Sequence, residues 1–255
     1  MRWLLVLLAA AGMIGLGFSS KNSAAANSKK ITELTGSYAP VAVLELFTSE
    51  GCSSCPAAEK LLPELAKIDD NIITLSFHVD YWNKLGWTDI FSNPDYSERQ
   101  KDYSTQMKLE SIYTPQLVVN GEYELVGSNR SEAEAAIKKV LKENTKVKLR
   151  ITNVKLIDNK LHFSVQSDGN FNKANILAVL IEKEISVDIK AGENHGIRLP
   201  HTNVVRTLDM QTAVAKNDFE LKIPAELSLS NCQLIVYTQQ KNDLKITGAA
   251  LYNPN

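Results

Sequence analysis

Apolar residues follow two rhythms along this chain. Up to about residue 145, short apolar runs alternate with segments in which apolar and charged residues interleave at helical spacing; beyond it, short strand-like runs dominate. "VAVLELF" (Val41–Phe47), interrupted by one Glu, and "IITLSFHV" (Ile72–Val79) are dense in strand formers, and "PAAEKLLPELAKI" between them predicts a helix. Pro56 suits the first turn of that helix, whereas Pro63 should kink it. A second helix is expected from Asn93, with Pro94 in its first position and Tyr96, Tyr103 and Met107 on one side. "TPQLVVNGEYELVGS" predicts two strands joined at Asn120–Gly121, a strong hairpin signal. Ser131 with Glu134 reads as a capping box that opens a third helix. The first strand–helix–strand is the pattern of a parallel βαβ unit, and residues 38–145 read β-α-β-α-β-β-α in all.

From Lys146 on, "KVKLRITNVKLI", "KLHFSVQS", "NILAVLIEKEISVDI", "NVVRTLDM", "DFELKIP" and "CQLIVYTQQ" are strand-like runs separated by Asn, Asp and Gly. Leu161, Phe163 and Val165 alternate with polar residues, as do Phe219, Leu221 and Ile223. With no amphipathic helix in sight, residues 146–255 predict an all-β, sandwich-like second domain. The expected fold class is therefore an α/β domain followed by an all-β one.

Charge changes this picture little, but the N-terminus changes it considerably. Arg2, an uncharged apolar run from Trp3 to Phe18 and Ala24–Ala26 match a secretory signal, with cleavage expected after Ala26 and a polar spacer over residues 27–37. A retained anchor is the alternative, although the run is short for a span of about 20 residues. No cysteine precedes Cys52, which argues against lipid attachment of the lipoprotein kind. Without Arg2 and Lys21 the 28 basic residues fall to 26 against 29 acidic ones, a net charge of −3. No clustered positive surface suggests a nucleic-acid partner. No other segment could cross a membrane, so the expected location is periplasmic or secreted, with no membrane association after cleavage.

Export alters how the three cysteines read, because disulfides persist outside the cytosol. "SEGCSSCPAAEK" places Cys52 at or just before a helix N-terminus, where unpaired N–H groups and the positive end of the dipole favour the reactive thiolate. Cys55, one turn on, is placed to resolve a mixed disulfide formed at Cys52. Glu50 opposes a very acidic thiol. A structural bridge is the plainer reading of the pair, but so short a loop restrains the unfolded chain little. Zinc usually needs four ligands, and neither a second C-x-x-C nor a His-x₃-His is present. Two thiolates with His78 could hold copper. Cys232, beside Leu234 and Val236 in alternation, reads as a buried free thiol.

Strand–C-x-x-C–helix, strand, helix and then Thr114–Pro115 before the hairpin together resemble the thioredoxin fold. The resemblance implies that Pro115 is cis and faces the cysteines, and that Thr114 presents its backbone to a substrate. "VLELFTSEGCSSCPAAEKLLPEL", "FHVDYWNKLGWTDIFSNPDYSERQ", "YTPQLVVNG" and "GENHGIRLPHTNVVR" together are similar to a bacterial family of secreted thioredoxin-like proteins of uncharacterised function. That resemblance spans nearly the whole mature chain and supplies no substrate. Departures from better-known thioredoxins are Ser53–Ser54 between the cysteines, Gly51 in place of tryptophan and Leu46 in place of a buried acid. Glu45 is one residue off and on the opposite face of a regular strand.

The expected activity is that of an exported thiol–disulfide oxidoreductase without cofactor or metal. Cys52 and Cys55 are the catalytic couple, Thr114 and Pro115 bind substrate, and Glu45, His78 and Asp80 are supporting candidates. Its partners would be protein or small-molecule thiols and disulfides. The alternative is a non-catalytic thioredoxin-fold binding protein, with copper on Cys52, Cys55 and His78. His78 also reads as a hydrogen-bonded structural residue. Trp82 and Trp87 fit either a peptide-binding rim or loop packing, and His195 and His201 read as loop residues.

Overall fold

A computed structural model describes residues 38–254; the expected signal (1–26) and spacer (27–37) lie outside the described residues. The first half follows the predicted order: β1 (Ala42–Thr48), α1 (Cys55–Leu65), β2 (Ile72–His78), α2 (Pro94–Met107), β3 (Gln116–Val119), β4 (Tyr123–Val126) and α3 (Arg130–Val140). β1 runs parallel to β2 in unbroken register and antiparallel to β3, which pairs with β4. The β3–β4 turn places Asn120 and Gly121 at positive φ (50° and 67°). Only glycine fits at 121, because a Cβ there would lie 2.0 Å from the Leu244 carbonyl oxygen. Asn120 also seals β1 by accepting from the Val43 N–H and donating to the Val41 carbonyl.

Alternation along the strands divides the core in two. Ala42, Leu44 and Leu46 pack beneath α1 and α3. Val43, Phe47, Leu75 and Phe77 face α2, which offers Tyr96 and Tyr103, with Met107 at the margin as the sequence predicts. Helix α1 runs two residues past Pro63. Asn93 caps α2 by accepting from the Asp95 N–H. The capping box expected at Ser131 is corrected: α3 starts two residues earlier, with Asn129 as the cap accepting from the Glu132 N–H.

The second half contributes β5 (Val147–Ile157), β6 (Lys160–Gly169), β7 (Ala174–Asp188), β8 (Arg198–Thr212), β9 (Lys216–Lys222), β10 (Cys232–Gln240) and β11 (Ile246–Tyr252). A sandwich is present, but one of its layers continues the first sheet. Strand order there is β11-β10-β7-β8-β2-β1-β3-β4, while β5-β6-β9 forms the other layer. The layers meet through Leu149, Ile151, Phe163 and Phe219 on one side and Ile176, Leu180, Leu234 and Val236 on the other. The two halves therefore share a sheet across the boundary expected at residue 146. The join is narrow: Ser76 pairs with Val204, Ser76 Oγ donates to the Thr202 carbonyl (2.8 Å) and Asn203 Nδ2 donates to Thr74 Oγ1 (2.6 Å). This seam carries the start of β8 to the α1 side of β2. No helix among the described residues is long and apolar enough to cross a membrane.

Candidate functional site

The turn after β1 delivers the cysteines to the helix start. The Cys52 N–H donates to the Ser49 carbonyl and the Cys55 N–H to the Cys52 carbonyl, so Cys55 opens α1 with Pro56 behind it. The two sulfurs form a disulfide, with Cα atoms 5.4 Å apart. Both cysteines are buried, while Ser53 and Ser54 are exposed. Ser54 Oγ lies 3.4 Å from Cys52 Sγ and donates to the Thr114 carbonyl at 3.5 Å. The Thr114–Pro115 peptide is cis. Trp82 Nε1 donates to Thr114 Oγ1 (2.8 Å), and a Cβ at residue 51 would sit 3.2 Å from Trp82 Cβ. Gly51 thus leaves room for a tryptophan that arrives from the following loop.

A second segment is bonded to the turn that carries the pair. The β7–β8 loop brings Asn194, whose Nδ2 donates to the carbonyls of Glu50 (2.8 Å) and Cys52 (3.0 Å). The Ser53 N–H donates to Glu193 Oε2 (3.1 Å), and the Ser53 side chain together with this N–H holds that exposed carboxyl below its usual range. Gly192 and Gly196, both at positive φ, flank this clasp.

Beneath the cysteines lies a buried polar cluster. Even-numbered positions of β2 (Thr74, Ser76, His78) form a polar stripe on the α1 face, since Ile73, Leu75 and Phe77 point the other way. His78 Nδ1 lies 2.7 Å from Asp89 Oδ2, which also accepts from the Glu50 N–H (2.8 Å). Asp89 Oδ1 accepts from the Phe91 N–H. Burial would raise the Asp89 pKa, but His78 and these N–H groups hold it below the ordinary carboxyl value. Across the cluster, His201 Nδ1 is bonded to Glu59, whose other oxygen accepts from Thr48 Oγ1 (2.6 Å). His201 Nε2 lies 3.4 Å from Glu50 Oε1, and Glu50 Oε2 accepts from Trp87 Nε1 (2.6 Å). Burial alone would lower the His201 pKa, yet Glu50 and Glu59 carry it up to about 10. The two imidazole rings stand 5.0 Å apart, edge to face, with Phe91 against both.

The structure groups the expected residues unevenly. Cys52, Cys55, Thr114 and Pro115 come together. Glu45 sits in an unbulged β1 and faces α2, where Arg99 Nη2 (2.7 and 2.9 Å) and the Tyr237 hydroxyl (2.6 Å) hold its carboxylate. Asp80 ties its loop to α2 through Ser97, accepting at 2.5 Å and donating its N–H at 3.1 Å. Among the described residues, the one group with potential metal-ligand atoms within 4.8 Å of one another is Glu59, His78 and His201, and it contains neither cysteine. The loop reading of His201 is corrected: it lies in β8, paired with Ile185 and buried. Sequence reasoning passed over Glu59 and Asp89 and weighed Glu50 only as a charge near the thiol. A buried Glu one turn after Cys55 was the available signal, since the i,i+4 spacing puts it on the cysteine's face of α1.

With this geometry in place, the relatives are informative. A family described as "Protein of unknown function (DUF1223)" matches residues 43–239. The chain belongs to that family. A thioredoxin from Methanocaldococcus jannaschii is 32% identical over 99 residues, covering 38% of this chain and 94% of the relative. The crystal structure of protein AGR_C_4864 from Agrobacterium tumefaciens superposes with a TM-score of 0.61 at 26% identity, over 86% of this chain and 97% of that one. This DUF1223 chain is thus mixed α/β with a thioredoxin-like relationship, and its close cysteine pair fits a redox role.

Proposed function

We propose that this DUF1223 protein is an exported thiol–disulfide oxidoreductase acting through Cys52 and Cys55. The observation that carries this reading is the placement of a disulfide across the first turn of α1, against the cis Thr114–Pro115 peptide. In the reducing direction the Cys52 thiolate attacks a substrate disulfide, forming a mixed disulfide and releasing one substrate thiol. Cys55 then attacks Cys52 Sγ, the intramolecular disulfide re-forms and the second substrate thiol leaves. The substrate gains two electrons and two protons, and another thiol couple outside the cytosol restores the dithiol. The reverse sequence oxidises a dithiol, and relative potentials set the direction. Thr114 and Pro115 would line the substrate backbone. Because both cysteines are buried and the β7–β8 loop is bonded to the turn that carries them, substrate entry requires a local opening beside the pair.

Burial of both cysteines favours a second reading, a fixed disulfide in a binding protein. Equilibration against glutathione redox buffers separates the two. A measurable equilibrium for the Cys52–Cys55 couple, with a Cys55→Ser variant that traps mixed disulfides in an exported-protein extract, supports the oxidoreductase. A pair that neither exchanges with a model disulfide nor traps a partner sinks it.

A further inference from the structure

The hydrogen bonds that leave residues 190–196 of the β7–β8 loop go to one place. The loop is closed on itself, with the Ile189 N–H donating to the Ile197 carbonyl (2.9 Å) and the Gly196 N–H to the Ile189 carbonyl (2.8 Å). Among the described residues, its outward bonds all reach the cysteine turn: Glu193 Oε2 accepts from the Ser53 N–H (3.1 Å), and Asn194 Nδ2 donates to the Glu50 and Cys52 carbonyls (2.8 and 3.0 Å). Asn194 is buried, whereas Glu193 is exposed and, among the described residues, has no basic side chain paired with it. We propose that Glu193 tunes the cysteine couple by its charge: it opposes a thiolate at Cys52, and the thiolate in turn loosens the Glu193 contact, so the loop is fastened in the disulfide form and released in the dithiol form. The proposal rests on the reading of Cys52 and Cys55 as a working couple.

The carboxylate and the sulfur are close. Covalent geometry keeps Cys52 Sγ within about 5 Å of the Ser53 nitrogen, which puts it at most about 8 Å from Glu193 Oε2. The disulfide is uncharged, so in the oxidised protein the positive end of α1 and the Ser53 N–H serve Glu193 without a rival. A Cys52 thiolate is a second anion favoured by the same helix end. The other acids around the turn are already matched. Glu50 and Glu59 share His201 of β8, and Asp89, from the loop after β2, is paired with His78. Glu193 is thus the carboxylate left to act on the thiolate, with the exposed His195 as its neighbour on the loop. Coupling of this kind is reciprocal: what Glu193 does to the thiolate, the thiolate does to the Glu193 contact. It is also sensitive to salt, because the screening length falls from about 10 Å at 0.1 M to about 3 Å at 1 M.

Reduction by dithiothreitol adds two electrons and two protons across the Cys52–Cys55 bond while the reagent closes its own disulfide, and at higher pH the Cys52 thiol then loses its proton to solvent. The test measures amide hydrogen exchange over residues 190–196 in oxidised and reduced protein, each pH compared within itself. In the wild type at pH 8 and low salt, reduction should speed exchange several-fold, and the effect should fade at low pH and in 1 M salt. Glu193→Gln keeps an acceptor oxygen for the Ser53 N–H and removes the charge. In that variant reduction should leave loop exchange unchanged, the pH profile of Cys52 alkylation should shift to lower pH, and the equilibrium with glutathione should move several-fold toward the dithiol. His195→Gln should keep the wild-type response. A Cys55→Ser variant should show the released loop at pH 8 without reductant, and a Cys52→Ser, Cys55→Ser variant the fastened one. A couple that does not equilibrate with glutathione sinks the oxidoreductase reading, yet reduced wild type and Cys55→Ser still report on the loop. Equal loop exchange in the oxidised and reduced wild type, an undiminished response in Glu193→Gln, or a released loop in the double-serine variant would overturn the proposal.

Discussion

Two buried polar clusters lie on opposite faces of β1 and β2, and they are built differently. On the α2 face, Glu45 is held by Arg99 and Tyr237, and Arg99 makes four hydrogen bonds in all, reaching Tyr103 and Gln239 as well. Its guanidinium also lies over the Phe77, Tyr103 and Tyr237 rings at 5.1–5.8 Å. That cluster is close to closed, with Arg99 Nε its one unmet atom. On the α1 face, the Glu50–His78–His201 group is fixed on its outer side by Asp89, Glu59, Trp87 and Thr48, yet inside it His78 Nε2 has no hydrogen-bond partner and His201 Nε2 meets Glu50 Oε1 only as an ion pair at 3.4 Å. A closed buried network ties elements together. An open one holds its side chains in place from outside and leaves the contacts between them incomplete.

The contrast breaks most visibly at Glu45. Glu45→Ala leaves the Arg99 guanidinium buried without its carboxylate, and breaking such a pair costs about 3–5 kcal/mol. The expected outcome is a matching drop in unfolding free energy from the urea midpoint at unchanged slope. The Cys52–Cys55 equilibrium with glutathione should stay unmoved, because Glu45 faces α2. A shift in that equilibrium would mean that the two clusters communicate and that the division by face is wrong.

A smaller effect is expected at the clasp. Asn194→Ala removes two hydrogen bonds to backbone carbonyls, one of them on Cys52 itself. At about 1 kcal/mol for each bond, the loss of stability should be about 1–3 kcal/mol. Reduction of the disulfide by dithiothreitol should be several-fold faster, since the turn that carries it is held less firmly. Unchanged reduction kinetics with lowered stability would assign Asn194 to packing alone.

The clusters also differ in how far the sequence reveals them. Strand parity separates Glu45 from Leu46 without any structure, and the same rule puts His78 on the side of Thr74 and Ser76. The C-x-x-C, its helix and Thr114–Pro115 are local signals carried by turn chemistry and spacing. The partners of His78 are not local. His201 reaches the cluster because β8 runs beside β2, and that pairing joins residues 128 positions apart through a single register match at Ser76 and Val204. Pro200 and Asn203, at φ 52°, make the start of β8 read as a loop ahead of the strand-like "NVVRTLDM", although the strand passes through both. The same blindness hid β11, whose "ITGAALY" lacks the alternation of its neighbours. It also hid the continuity of the sheet, because a strand's sequence does not say which edge it will join.

The smallest effect is expected at Cys232, the limiting case of a closed buried group. Its Sγ donates to the Ser228 carbonyl at 3.2 Å, and Leu234 and Val236 flank it in the sandwich core, as alternation predicts. Burial pushes this thiol up to about 11, with Glu182 adding to the rise. At pH 8 the group is thus some three units below its pKa, and the thiolate, the reactive form, is about one part in a thousand. In dithiothreitol-reduced protein, a thiol reagent at pH 8 should modify Cys52 and Cys55 while Cys232 reacts only after denaturant is added, as peptide mass mapping would show. Cys232→Ala should change stability by no more than about 1 kcal/mol, since it removes one sulfur and one weak donor without stranding a charge. Rapid modification of Cys232 in the native state would show that the sandwich layers part readily. Closure of the hydrogen bonds would then be a poor guide to inertness, and the distinction between the two clusters would lose its basis.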